Sequence, residues 1–127
     1  MVDDSVPRVN WPECSGEYKV VQFYIEGQPY MRFGKIKNEK NYDIHEFILK
    51  RFAEEIGVEY IEIKSKHGPL AALPQDGRHD MAGAGKCTLN LETKVAAFWG
   101  DSIDYRRGID YKHLRKVREL YPEWKIN

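Results

Sequence analysis

The chain is predicted to fold as a single α+β domain, a mixed β-sheet of about five to six strands with two covering α-helices. Strand-like runs cluster along it instead of alternating strictly with helices, in the order β, a short β, α, β, β, β, α, β. Two segments space their apolar residues as helices do, and each is followed by a glycine or a proline. The length, 127 residues, suffices for one hydrophobic core and is too short for two.

Residues 1–15 hold Pro7 and Pro12 and no periodicity, and are expected to be a flexible N-terminal tail, with the domain proper at 16–127. Residues 17–26 read as a strand because Tyr18, Val20, Val21, Phe23, Tyr24 and Ile25 are β-branched or aromatic. Gly27-Gln28-Pro29 breaks it, and residues 30–33 form a short second strand or an extended segment. The Lys/Asn-rich run at 35–41 is a solvated loop. Asp43 reads as a helix N-cap with Glu46 three residues on, and Tyr42 and Phe47 stand at the positions of a hydrophobic staple. The helix then covers 44–56, with Ile44, Ile48 and Phe52 stacked at intervals of four beside Leu49 and Ile56, and Gly57 ends it.

Residues 58–64 alternate as a strand, whereas 67–78, with Gly68, Pro69, Pro74 and Gly77, are expected to be a surface loop. Residues 81–91 are a further strand in which Gly83-Ala84-Gly85 implies a bulge or a close backbone approach. Residues 94–99 form the next, and Gly100-Asp101-Ser102 turns out of it. Asp110 caps a second helix with Leu114, Val117 and Leu120 as its buried stripe, Pro122 lies past its end, and 124–126 close the sheet. Repeats and low-complexity segments are absent from the sequence.

Twenty basic and twenty acidic side chains give a net charge of zero, which argues against a dedicated nucleic-acid binder. Stacking of bases on Phe23, Tyr24, Tyr30 and Phe33 is a weak third possibility for the same reason. No basic stretch followed by an apolar one opens the sequence, and no apolar run reaches the roughly 18 to 20 residues of a membrane helix. A cytoplasmic protein without membrane contact is therefore expected, with Cys14 and Cys87 as two reduced thiols.

His45 carries the most chemical information. It falls in the first turn of the predicted helix, on the apolar face, among unpaired backbone N–H groups. The positive end of the helix dipole disfavours imidazolium there, and a neutral ring can accept a proton as a general base. Taken alone, a helix-end histidine bonded to a neighbouring loop accounts for it as well. The run Gly83 to Lys86 is no P-loop, since that pattern needs glycine at 80 and serine or threonine at 87, where Asp80 and Cys87 stand. The four histidines and two cysteines show no metal-ligand spacing, so no metal is expected. Gly100-Asp101-Ser102-Ile103-Asp104 is not the G-x-S-x-G nucleophile motif, but its turn amides can form an anion nest. Lys19 and Lys86, on neighbouring predicted strands, would add positive charge around a phosphate bound there.

Together these residues resemble the phosphohistidine phosphatase (janus/ocnus) family. Three blocks carry the likeness: Gly16-Glu17-Tyr18-Lys19-Val20-Val21, Ile44-His45-Glu46-Phe47-Ile48, and the stretch from Gly83 onward with Phe98-Trp99-Gly100-Asp101-Ser102-Ile103-Asp104-Tyr105 and Tyr121-Pro122-Glu123-Trp124. It covers most of the chain from residue 16. Departures are present. The family's Gly-Gly-Gly-Arg run is Gly83-Ala84-Gly85-Lys86 here, which keeps the charge but loses the bidentate fork. Asp101 and Asp104 replace neutral residues, Arg106 and Arg107 replace a Gly-Pro pair and can offset them, and the loop from His67 to Asp80 is longer.

The resemblance implies removal of the phosphoryl group from phosphohistidine in proteins without metal or cofactor, and a monomer is expected. Phospholysine, another N–P compound, is a second candidate substrate. His45 would be the catalytic base that activates water. Ser102 and the amides of Ile103, Asp104 and Tyr105 would hold the phosphoryl oxygens, with Lys19 and Lys86 supplying charge. A histidine in this place can also take the phosphoryl group as nucleophile. The base is favoured because the helix end keeps the ring neutral. The alternative from a different class is a non-catalytic phosphate- or phosphopeptide-binding module on the same fold.

Overall fold

The first strand is as long as its β-branched and aromatic residues suggest. The computed structural model describes residues 5–36, 44–66 and 68–127, and in it β1 (Gly16–Ile25) pairs antiparallel with β2 (Gln28–Lys35). The two-residue connection, Glu26 (φ 52°) and Gly27 (φ 79°), has positive φ at both positions, as type I′ hairpin turns require. Pro29 therefore lies inside β2 and does not break it, which an edge strand tolerates.

α1 (His45–Glu55) starts with Ile44 at the N-cap, where no side chain caps the backbone. Asp43 and Tyr42, expected to cap and staple this end, lie outside the described residues. The capping box expected between Asp43 and Glu46 therefore falls there too; the Glu46 carboxylate accepts the Ala71 N–H at 2.8 Å. Gly57 (φ 70°) follows the helix as expected. The next hairpin pairs β3 (Ile61–Ser65) with β4 (Gly68–Ala72). β4 corrects the expectation of a plain loop over 67–78: Leu70, Ala71 and Leu73 are buried, and that burial outweighs the glycine and proline at its start.

β5 (His79–Asn90), β6 (Val95–Trp99), the short β7 (Asp101–Ser102) and β8 (Arg107–Gly108), α2 (Tyr111–Leu120) and β9 (Lys125–Ile126) complete the elements. Among the described residues the main sheet has five strands in the order β2-β1-β5-β6-β9, antiparallel except for β9 beside β6. A mixed sheet with two helices is the predicted α+β class. No helix among the described residues is long and apolar enough to cross a membrane.

Alternation along β1 sends Val21, Phe23 and Ile25 to a core cluster with Ile48, Leu49 and Phe52 of α1, while Val20 joins Leu114 and Val117 of α2 in the other. Each fully buried side chain of this size contributes roughly 1.5–3 kcal/mol. Leu120 is not part of the α2 stripe, being 46% exposed; fully buried His113 takes the place instead. Its Nε2–H donates to the Phe23 and Tyr30 carbonyls (2.8 and 3.1 Å), and Nδ1 accepts from Gln22 Nε2 (3.1 Å). Gln22 in turn bonds both backbone groups of the α2 cap, Asp110.

Burial lowers the His113 pKa from 6.5, outweighing the carbonyl hydrogen bonds and Asp110, which act to raise it. A proton on Nδ1 would also face the Gln22 amide donor. Because the folded pKa is depressed, stability is level above pH 6.5 and falls as acid protonates only the unfolded chain. The expected slope is at most about 1.4 kcal/mol per pH unit for this ring. Urea midpoints of wild type and His113→Gln between pH 7 and pH 5 check it: the variant should start lower and lose the His113 share of the slope. Equal slopes would contradict it.

The segment expected to be a loose tail is partly built in. Val9 is only 4% exposed and bridges Met31. Met31 N–H donates to the Arg8 carbonyl (2.8 Å) and Phe33 N–H to Asn10 Oδ1 (3.1 Å). Trp11 stacks on Trp124 at 4.1 Å. Arg32, also buried, holds Glu55 through two bonds and the Pro7 and Arg8 carbonyls through two more.

Candidate functional site

Lys19 of β1 and Lys86 of β5 are direct cross-strand partners, and Trp99 of β6 is the partner of Lys86 on its other side. Like charges placed opposite each other repel. Strand alternation puts all three on the face that α1 covers, since Val21 and Ala84, two residues from each lysine, belong to the α1 cluster. His45, the first residue of α1, points its ring at the same place: Nε2–H donates to the Gly85 carbonyl at 3.0 Å. That bond assigns the tautomer and leaves the lone pair on Nδ1.

The glycines either side of Ala84 make room for the next segment. A β-carbon at Gly85 would overlap the Trp99 carbonyl and the Ile109 side chain; one at Gly83 would overlap Gln22, the Gly108 carbonyl and Asp110 N. The register also shifts between Gln22 and Phe23, leaving Ala82 as the extra residue of a bulge. The run itself is a close approach, and the bulge falls one residue before it, at Ala82. The β7–β8 hairpin, lying against β5, then presents the turn at 103–106.

Ser102 is buried and its Oγ accepts the Tyr105 N–H at 3.4 Å. The Ile103 and Asp104 amides have no hydrogen-bond partner among the described residues. Tyr105 Oη donates to the Ala71 carbonyl (2.5 Å), and Glu46 takes the N–H of the same residue. One β4 residue thus ties the turn to the first turn of α1. Burial, then the carboxylates of Glu46 and Asp104, push the Tyr105 phenol well up, so it stays a donor.

These groups enclose a cavity of about 500 Å³. Lys19, His45, Lys86, Ser102, Ile103 and Asp104 all line it, with Trp99 and Asp101. Of the expected site residues only Tyr105 does not: its ring is turned toward β4, and its N–H is taken by Ser102. Sequence reading missed the Gly85 carbonyl and Trp99 as site groups. A backbone acceptor leaves no mark on residue type, and Trp99 follows only once the β5–β6 register is known. Asp101 and Asp104 both sit in the lining, so the cavity holds two carboxylates beside its two lysines.

The His45 pKa is lowered from 6.5. Burial is the largest cause, the Gly85 bond and Asp104 oppose it, and Lys19 and Lys86 add to it. The neutral ring expected from the helix terminus is thus produced mainly by desolvation. Cys87, beside Lys86, is buried and its thiol is pushed up to about 12, which removes it as a nucleophile. Among the described residues no cluster of three or more His, Cys, Asp or Glu could hold a metal ion.

Comparison of the chain with protein-family models finds no match, and comparison with the curated proteins finds none. The family likeness therefore rests on the three sequence blocks alone.

Proposed function

We propose that the protein is a phosphohistidine phosphatase that works without metal or cofactor, and that phospholysine is its second candidate substrate. The observation that carries this reading is the convergence of a neutral imidazole, two lysines and two amides without a partner among the described residues on one cavity. Water held by His45 Nδ1 attacks phosphorus and its proton passes to Nδ1, while the P–N electron pair goes to the substrate ring, which takes up a proton from solvent and leaves as neutral imidazole. The transition state of such a transfer is loose, so the protein's part is positioning and charge. Lys19 and Lys86 face the phosphoryl oxygens, and an anion between them relieves their repulsion. The Ile103 and Asp104 amides supply the remaining donors. The enzyme acts as a cytoplasmic monomer on phosphohistidine-containing proteins, in a compartment where Cys14 and Cys87 stay thiols.

The test is release of phosphate from a phosphohistidine peptide by the wild-type protein, with and without a chelator. Turnover at the same rate in both is expected. Absence of turnover, or its loss with chelator, overturns the proposal. Asp101 and Asp104 in the lining favour one second reading, a non-catalytic phosphopeptide-binding module. It predicts phosphate-induced NMR shifts at Lys19, Lys86 and Ile103 with no hydrolysis.

A further inference from the structure

Asp104 lines a second cleft as well as the His45 cavity. This cleft, about 440 Å³, lies between the β3–β4 hairpin, the start of β5 and the far side of the turn at 103–106. Its floor is apolar, from Leu49 and Leu70, and its rim is charged. Lys64, Lys66, Arg106 and Arg107 stand there against the carboxylates of Asp80 and Asp104. None of the four cations has an ion-pair partner among the described residues. His79, also in the lining, is already held by Asp76 at 2.8 Å. The rim thus carries a positive excess on a chain whose net charge is zero.

We infer that this cleft receives an acidic peptide segment flanking the phosphorylated residue, so that the protein selects substrates with Asp or Glu near the phosphorylated site. The inference rests on the phosphoryl-site reading of the His45 cavity. One turn separates the two hollows, with Ser102 and Ile103 on the phosphoryl side and Tyr105, Arg106 and Arg107 on the other. A peptide with its modified residue against His45 has this turn to cross, and the cleft lies beyond it. Arginine presents planar paired donors to carboxylates, and lysine adds charge. Charges as exposed as Lys64 and Lys66 act on encounter and binding and leave the chemical step alone.

Steady-state kinetics with two phosphohistidine peptides, alike except for acidic or neutral flanks, test this. Exposed pairs are individually weak, so the acidic peptide should show a KM lower by about 3- to 10-fold at equal kcat. That preference should vanish in Lys64→Glu/Lys66→Glu and shrink in high salt. These lysines lie outside the His45 cavity, and the variant should hydrolyse a small phosphoramidate at the wild-type rate. Equal KM for both peptides in an active wild type, or a preference that survives the double variant, overturns the inference while leaving the phosphatase reading intact. If neither peptide nor the small phosphoramidate is hydrolysed, the phosphatase reading fails and takes the inference with it.

Discussion

His45→Ala is expected to slow phosphohistidine hydrolysis by about 10²- to 10⁴-fold, the usual contribution of a positioned general base. The loss should fall on kcat more than KM, because Lys19, Lys86 and the turn amides still bind the phosphoryl group. Stability should change little. The ring is only partly buried, and its one hydrogen bond to the Gly85 carbonyl is worth about 1 kcal/mol. The wild-type pH profile gives a second readout. A base whose pKa lies below 6.5 stays competent down to that pH, and kcat/KM should then fall on further acidification. The acid limb should disappear from the residual rate of the variant. Wild-type turnover in His45→Ala, with circular dichroism showing an intact fold, would falsify the assignment.

Gly85→Ala is expected to damage both fold and activity. A methyl group here meets a backbone carbonyl, which cannot rotate away as a flexible side chain can. Overpacking of this kind costs about 1–3 kcal/mol. Relief requires Trp99 and Ile109 to move, and the β7–β8 hairpin runs between them in sequence, so the turn at 103–106 shifts with it. The carbonyl of the same residue holds His45, so base and phosphate cradle lose register together. Denaturant midpoint and kcat should fall in one variant. A Gly85→Ala protein with wild-type midpoint and rate would show that the close approach relaxes freely and does not set the site.

The strands rich in Val, Ile and aromatic residues, the α1 stripe and the Asp110 cap were legible because each signal is local. β4 was not. Gly68 and Pro69 signal a turn, and only the burial of Leu70 and Ala71 decides in favour of a strand. His113 reads as polar, yet two carbonyls and a glutamine satisfy it in the core, and residues 83 to 91 positions away in sequence supply them. The candidate site shows the same division. His45 and Ser102 stand out by local context, whereas the pairing of Lys19 with Lys86 is a matter of register across 67 residues. Asp104 was legible as a misplaced charge, but its position between two clefts was not.

The outermost strand of a sheet is an invitation to pair with another molecule, since its spare N–H and C=O groups match any extended chain. β2 is such a strand, and its six central residues, Pro29 to Gly34, are all buried. Arg8, Val9 and Asn10 occupy that row from within. At the opposite margin β9 has only two residues to offer. The stretch expected to be a loose tail thus covers the open side of β2, and shortening the chain there would bare its N–H and C=O groups to pairing with another chain.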